Sequence, residues 1–467
     1  MPYNLNVFLK SCLNKKVAFI GMGVSNFDAI VLFLKNRIDV TVLDKKEKNE
    51  LKNSNEKNFE ILEQLGANFV CGENYLENLS QYDILVRSPG VYFNDEKIQN
   101  AIKSGVVVTS EMELFFEFCP CKIIAITGSD GKTTTTTLIA KILEKEGYTV
   151  HLGGNIGKAL LCKLENIHPL DIAVVELSSF QLLSMRKSAN ISIITNISKN
   201  HLDVHKDMKE YIDAKKNIYI HQNAFGEVIL NLDNKICNSF ENDSRGFVKK
   251  FSMEKKVLNG AFFNKKDETL CYSKNGEIFK ILEKDDIALL GKHNIENFLA
   301  AITATFNMVD KKNILNVAKN FTGVQHRLEL IKKENSISWY NDSIATSPTR
   351  TIAALNSFEK NIILIAGGYD KKLPFEELAS QILKKAKAII LMGATAEKIE
   401  KAIKNNENYY ENFTMFKVDS LKNAVKKAKE IAESGDYILF SPACASFDLY
   451  KNFEERGEDF KKLVQNF

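Results

Sequence analysis

The sequence predicts an α/β protein of three domains. Short β-branched runs alternate with stretches of helical periodicity, and most of those runs end in glycine or polar clusters. At 467 residues the chain is also longer than one hydrophobic core usually serves. An apolar content of 45% and a charged content of 26% are ordinary for a globular chain.

The first block, 1–118, opens with KVAFIGMGVSNFDAIVLFLKNRIDVTVLD: a strand, a glycine turn, a helix and a second strand closed by Asp44. Further strands are expected at DILVRSPG and VVVTS, which makes this a Rossmann-like domain. The second block, 119–324, begins with KIIAITGSDGKTTTTTLIAKILEKEG, again strand, tight loop and helix, and continues through DIAVVELSSF and ISIITNIS. Such runs read as parallel strands buried on both faces, with functional residues at their carboxyl ends. This is the expected P-loop ATPase domain. Residues 225–290 are more polar and strand-like and say little. In the third block, 325–467, NIILIAGGYDKK, AIILMGA and YILFSPACAS alternate with helical stretches, a second Rossmann-like α/β unit.

Bulk properties exclude several classes. The 63 basic and 59 acidic residues leave a formal charge of +4, with no basic block interleaved with aromatics, so nucleic acid is not an expected partner. The start, MPYNLNVFLKSCLNKK, lacks the apolar core of a signal peptide. No apolar run reaches the roughly 18 residues of a membrane span, so none is expected. The eight cysteines are mostly dispersed, and the lone CPC at Cys119 and Cys121 has no second pair to form a zinc knuckle. Reduced thiols in a cytoplasmic, monomeric protein are the expectation.

TGSDGKTT is the strongest local signal. Its loop N–H groups and the following helix N-terminus can wrap a polyphosphate. Gly128, Ser129, Asp130, Gly131, Lys132, Thr133 and Thr134 are the candidate nucleotide contacts, with Lys132 reaching the β- and γ-phosphates and Thr133 set for Mg²⁺. The spacing departs from GxxxxGK[ST], since Ile126 stands where the first glycine is expected.

GMGVSN offers a second anion site at Gly21 and Gly23, with Asp44 at the distance of a ribose contact. Asn26 stands in place of the third glycine, and three readings stay open: a nucleotide or UDP-sugar pyrophosphate, a nicotinamide dinucleotide, or a purely structural turn. Glu176 ends DIAVVE, where a carboxylate beside a phosphate loop either holds Mg²⁺ or meets solvent. Asn294 and Asn297 sit at an apparent helix start, as caps or as ligands. HLDVH raises a zinc reading, since His201 and His205 would share a helix face. Two histidines alone do not complete a metal site.

The strings GMGVS, SPG (88–90), TGSDGKTT, GGNIG (153–157), ELSSFQ (176–181), NHLD (200–203), YIDAK (211–215), HN (293–294), HRLE, NDSIAT, GGYDKK and SPACASFDLYKNFEERG follow one another along the chain. In that order they resemble the Mur ligases, and among them the branch that adds D-glutamate, over nearly the whole length. The phosphate loop, the acidic strand end and HN are shared with folylpolyglutamate synthetases; GGNIG, ELSSFQ and the C-terminal strings are particular to the D-glutamate branch.

The resemblance implies an ATP-dependent acid–D-amino-acid ligase of cytoplasmic peptidoglycan precursor synthesis. It would join D-glutamate to UDP-N-acetylmuramoyl-L-alanine through an acyl phosphate. It implies ATP and two Mg²⁺ ions, with catalytic roles for Lys132, Glu176, His201 and Lys215. Thr133, Glu176, His201 and Lys215 would serve the metals, the lysine as a carbamate formed with CO₂. His201 then belongs to a second Mg²⁺ and not to zinc, and His205 is left as a surface residue.

Ser25, Asp44, Ser88, Pro89 and Gly90 resemble UDP contacts, and Asn155, Ser178 and Gln181 contacts to the muramoyl-alanine end. Asn294, Arg327 and Asp342 resemble adenine, phosphate and ribose contacts; Thr346, Lys371, Ser446 and Phe453 resemble those that hold D-glutamate. ATP contacts from two domains imply closure on binding.

One position departs from the pattern. Where many relatives read NDSKAT this chain reads NDSIAT, so Ile344 removes a cation that Lys372, Arg350 or a differently placed metal would have to replace. The rival readings are a Mur ligase for another amino acid, a folylpolyglutamate synthetase, a nicotinamide-dependent oxidoreductase built on GMGVS, and a noncatalytic UDP-sugar-binding regulator. The oxidoreductase leaves TGSDGKTT and ELSSFQ unexplained, and the regulator has no need of Lys132, Glu176, His201 and Lys215 together.

Overall fold

Strands buried on both faces need unbroken apolar runs, and the first sheet is built from them. Val17–Ile20 (β1), Val40–Asp44 (β2), Asn68–Cys71 (β3), Ile84–Arg87 (β4) and Val107–Thr109 (β5) lie parallel in the order β3-β2-β1-β4-β5. In β1, Val17 and Phe19 join one core while Ala18 and Ile20 join the other, the period of two expected of a strand covered on both sides. The chain reverses its winding between β1 and β4, which opens a crevice at their carboxyl ends.

The second sheet is parallel throughout: Lys122–Thr127 (β6), Val150–Gly154 (β7), Ile172–Glu176 (β8), Ile191–Ile194 (β9), Glu227–Asn231 (β10) and Phe247–Phe251 (β11), in the order β11-β10-β9-β6-β8-β7. Because β6 lies between β8 and β9, the groups that follow all three strands emerge together. Gly260–Asn264 (β12), Thr269–Lys274 (β13) and Glu277–Glu283 (β14) form a separate antiparallel sheet in the stretch where the sequence says least. These sheets belong to one compact unit, Met1–Asp286 with Ile295–Val317.

A second unit, Ile287–Asn294 with Ala318–Phe467, holds the last sheet. It contains Glu329–Glu334 (β15), Ile337–Asn341 (β16), Ile362–Ala366 (β17), Ala386–Leu391 (β18), Thr414–Lys417 (β19) and Tyr437–Phe440 (β20) in the order β15-β16-β20-β17-β18-β19. All pairs are parallel except β15 with β16. NDSIAT, SPACAS and GGYDKK therefore leave the carboxyl ends of three adjacent strands, β16, β20 and β17.

The helices that position the site are Val24–Lys35 (α1), Lys132–Glu146 (α2), Ser179–Leu182 (α3) and Met208–Lys216 (α4) in the first unit, and Pro348–Leu355 (α5) and Phe453–Gln465 (α6) in the second. This computed structural model describes residues 4–466 apart from 55, 158, 199–204, 290 and 372, and also leaves out the side chains of Val24, Ser25 and Ser54. Among the described residues no helix is long and apolar enough to cross a membrane.

Candidate active site

Two glycine turns leave parallel strands of the first unit. After β1, Gly21 takes a φ of +87°, and a Cβ there would lie 3.2 Å from Ser88 Cβ. Ser88 Oγ lies within 4.0 Å of the Cβ positions of Gly21, Gly23 and Gly90, so three glycines surround one hydroxyl. Gly23 caps α1 with no side-chain bond, which leaves the helix N-terminus open to an anion. Asp44 braces the turn by accepting from Met22 N and Lys46 N, each at 3.0 Å. Buried Asn26 donates to the Ile20 and Gly21 carbonyls at 3.2 and 2.9 Å. The residue at the third glycine position thus ties the turn to its strand. Ser25 starts within α1, but its side chain lies outside the described residues.

After β6, Gly128 and Gly131 take φ values of +150° and +78°. A Cβ at Gly128 would overlap Thr195 Oγ1, and one at Gly131 would overlap Asn297 Oδ1. The end of β9 stitches this loop in place. Asp130 donates its N–H to Asn196 Oδ1 at 2.9 Å and accepts from Thr195 Oγ1 at 2.6 Å. The Ser129 hydroxyl is turned to the Ser198 carbonyl and Tyr211 Oη, within the loop's own frame. Gly131 opens α2 with no side-chain cap, so the helix N-terminus again faces the turn.

Two lysines converge here. Lys132 Nζ donates to the carbonyls of Gly128 and Ser129 at 3.0 and 2.9 Å. Lys215 on α4, 2% exposed, donates to the same Gly128 carbonyl at 2.8 Å and to Thr127 Oγ1 at 3.2 Å. Burial, and next the charge of Lys132, hold the Lys215 amine well below the usual lysine range. Glu176, at the end of β8 and 1% exposed, accepts from Asn155 Nδ2 at 2.8 Å through Oε1, while its buried Oε2 has no hydrogen-bond partner among the described residues. An orphaned carboxylate oxygen within electrostatic reach of Lys215 fits a cation.

His201 lies outside the described residues. His205 corrects an expectation: it is 2% exposed and not a surface residue. Its Nε2 meets Ser179 Oγ at 2.9 Å, its Nδ1 meets Glu210 Oε2 at 3.2 Å, and its ring stacks on Phe180 at 5.2 Å. Both nitrogens and one ring face are therefore occupied, and the residue precedes α4, so it shares no face of that helix. Ser178 and Gln181 come together as a capping box: Gln181 Oε1 accepts from Ser178 N and Oγ at 3.0 Å each.

In the second unit, buried Asp342 accepts from Leu328 N at 3.2 Å and Ser441 Oγ at 2.7 Å, and burial pushes its carboxyl up to about 7. Arg327 is exposed between His326 and Leu328, whose φ values of 61° and 44° are strained for such residues. Ser446 is buried, Thr346 and Phe453 are half-buried, and Lys371 is exposed. Arg350 Nη1 donates to the Ile344 carbonyl at 3.0 Å, so a cation does rest on NDSIAT; Lys372 lies outside the described residues. Asn294 is buried in the helix Lys292–Thr305.

Three further residues shape these loops. Arg456 on α6, 1% exposed, donates to the carbonyls of Ser343, Cys444 and Ala445 at 2.9, 3.1 and 3.1 Å, which fastens NDSIAT and SPACAS to one helix. Asn297 Oδ1 accepts from Thr135 Oγ1 at 3.2 Å beside Gly131, so it serves the phosphate loop and not a cap. Arg87 bonds residues 93 positions away. The C-terminal string NFEERG contains Arg456, which was its only sequence signal; Arg87 had none.

Three family models match the chain in order: a Mur ligase MurD-like N-terminal domain over residues 15–110, a Mur ligase middle domain over 126–305, and a Mur ligase glutamate ligase domain over 326–444. A UDP-N-acetylmuramoylalanine–D-glutamate ligase of Acetivibrio thermocellus is 46% identical over 469 residues, covering 100% of this chain and 99% of its own. One of Clostridium tetani is 47% identical over 468 residues, covering 100% of both chains. Among solved structures, the Thermotoga maritima UDP-N-acetylmuramate–alanine ligase is similar with a TM-score of 0.53 at 18% identity, over 97% of this chain and 100% of that one. A UDP-N-acetylmuramoyl-L-alanyl-D-glutamate–2,6-diaminopimelate ligase gives 0.55 at 16% identity, over 96% and 92%. At these identities the structural likeness concerns the fold.

Proposed function

This chain belongs to the Mur ligase family of ATP-dependent amide-forming enzymes, and we propose on that premise that it adds D-glutamate to UDP-N-acetylmuramoyl-L-alanine. The observation that carries the reading is the convergence of Lys132 and Lys215 on one carbonyl, in a site that also holds a buried carboxylate with one oxygen unpartnered among the described residues. The reaction needs such an arrangement. The alanine carboxylate attacks the γ-phosphate of ATP and ADP leaves; the D-glutamate amine then adds to the acyl carbon and phosphate departs, leaving the amide. The first step brings one anion onto another, so positive charge has to be in place beforehand, from Lys132, the α2 N-terminus and the metal ions that Glu176 and Lys215 would help to hold.

In this reading Gly128–Thr134 and the α2 N-terminus hold the polyphosphate, and Lys132 turns from its loop carbonyls to the β- and γ-phosphates. Glu176, with Thr133, His201 and Lys215, would hold Mg²⁺, two ions in all, which when bound neutralise charge at the phosphates and the carboxylate. The depressed Lys215 amine supports a carbamate: its lone pair adds to CO₂, one proton is released, and a second carboxylate results.

The glycine turn with Ser25, Asp44, Ser88, Pro89 and Gly90 takes UDP; Asn155, Ser178 and Gln181 take the muramoyl-alanine end. Asn294, Arg327 and Asp342 serve the nucleotide. Thr346, Lys371, Ser446 and Phe453 serve D-glutamate, and Arg350, resting on the Ile344 carbonyl, supplies the charge that Ile344 lacks. We divide the chain at 1–118, 119–324 and 325–467 and take it as a cytoplasmic monomer.

The test is phosphate release from ATP with UDP-N-acetylmuramoyl-L-alanine, Mg²⁺ and a panel of amino acids. Release that requires D-glutamate, with a product heavier by one glutamyl residue, is the expected result. Release with a different amino acid would overturn the acceptor assignment, and no release with any would overturn the ligase reading.

A further inference from the structure

Arg87 has no part in the chemistry above, yet it is among the most deeply buried cations of the first unit, 1% exposed. It closes β4 directly before the Ser88-Pro89-Gly90 turn, and its guanidinium reaches in two directions. Nη1 donates to the carbonyls of Ser88 at 3.2 Å and Val91 at 2.6 Å, so it spans that turn from both ends. Nη2 donates to the Phe180 carbonyl on α3 at 3.0 Å and to Ser184 Oγ at 3.2 Å. Ser184 Oγ in turn donates to Glu113 Oε2 at 2.9 Å, and the Glu113 carboxylate answers the guanidinium charge.

Burying a charge this deeply is costly, and an apolar side chain would fill the space with less desolvation. Among the described residues Arg87 Nε has no hydrogen-bond partner, so the guanidinium is not fully satisfied by them. What the guanidinium gains is a four-point brace between the turn after β4 and the short helix after β8. Ser178 and Gln181 form that helix's capping box, two residues before and one residue after Phe180, whose carbonyl Arg87 holds.

We propose that Arg87 is a positioning residue that fixes the separation between the UDP-binding turn and the helix start that receives the other end of the same substrate. The proposal rests on the proposed function, which puts UDP at 88–90 and muramoyl-alanine at Ser178 and Gln181. A ligand that engages two subsites gains from both only when their separation matches its span. Loosening the half of the brace that reaches Phe180 and Ser184 therefore disturbs the UDP turn less than it disturbs the joining of the two subsites.

The experiment compares two probes, UDP alone and UDP-N-acetylmuramoyl-L-alanine, by calorimetry on the full chain of wild type, Arg87→Met, Arg87→Lys and Ser184→Ala. In Arg87→Met the whole substrate should bind about tenfold more weakly while UDP changes by less than about threefold. The KM of the whole substrate should rise with that of ATP unchanged. Arg87→Lys should recover part of the loss, since an ammonium can reach the carbonyls of one side but not of both. Ser184→Ala should show the same split more mildly, and it carries the test should Arg87→Met fail to fold.

An equal loss for both probes would overturn the proposal and leave Arg87 as a support of the turn alone. No loss for either would also overturn it. The wild-type measurement separates the two layers: a whole substrate bound no tighter than UDP would sink the functional reading at that end, and with it the proposal, before any variant is made.

Discussion

The two glycine turns of the first unit begin alike and end with different chemistry. Each follows a buried parallel strand, each opens a helix with no side-chain cap, and each holds a glycine at positive φ against a neighbouring hydroxyl-bearing residue. Around the first turn the braces are neutral or acidic, Asn26 and Asp44. Around the second they include two lysines on one carbonyl and a buried, half-paired glutamate. Glycines make room for a phosphate. The groups at adjacent strand ends decide whether that phosphate is held or made to react.

Removing Lys132 should separate the turns most sharply. Lys132→Met should lose about 10³-fold in ligation rate while UDP binding is retained; a comparable loss from Asp44→Asn would erase the distinction. Lys215→Ala should lose about 10²-fold and recover some rate with added acetate or formate, and no rescue would leave the carbamate unsupported.

Lys215 also gives the second turn a pH signature. Its folded-state pKa lies below the unfolded value of about 10.4, so the unfolded chain binds more protons between the two and stability rises with pH across that window. Thermal melts with chelator and without bicarbonate should find Lys215→Met more stable than wild type at low pH. That lead should shrink as pH climbs toward about 10.4, and a gap independent of pH would contradict the buried-amine account.

GGYDKK in the second unit is a third glycine turn with a lysine. Lys371→Ala should raise the D-glutamate KM about tenfold and leave that of ATP nearly unchanged; equal effects on both would argue for a general structural role. The smallest effect on ligation belongs to the first turn, where the change is one of stability. Asn26→Gly restores the missing glycine, and it should cost about 1–3 kcal/mol of stability by freeing two carbonyls, with no nicotinamide binding gained.

The sheet cores were readable in the sequence because strands such as VAFI, IAVVE and IILIA are covered on both faces and carry no polar interruption. The stretch 225–290 was not, because a strand such as EIFKILE is exposed over much of its length and shows no regular alternation of buried and exposed residues. Of the candidate site, Lys132 and Glu176 stand in strings that combine a strand end with a loop, whereas Lys215, on α4, was singled out only by the family resemblance. Arg87 and Arg456 were not legible, since the partners that tie them across the fold, Phe180 and Ser343, lie 93 and 113 residues away and no local pattern announces such contacts. His205 was expected at the surface because no role could be assigned to it, while the fold buries its ring against Phe180.

The most direct measurement follows one oxygen atom. UDP-N-acetylmuramoyl-L-alanine labelled with ¹⁸O in its terminal carboxylate is turned over with ATP and D-glutamate, and the released phosphate is analysed by mass. If the second turn activates that carboxylate as an acyl phosphate, each phosphate released should carry one oxygen from the substrate. Unlabelled phosphate accompanying amide formation would contradict the account.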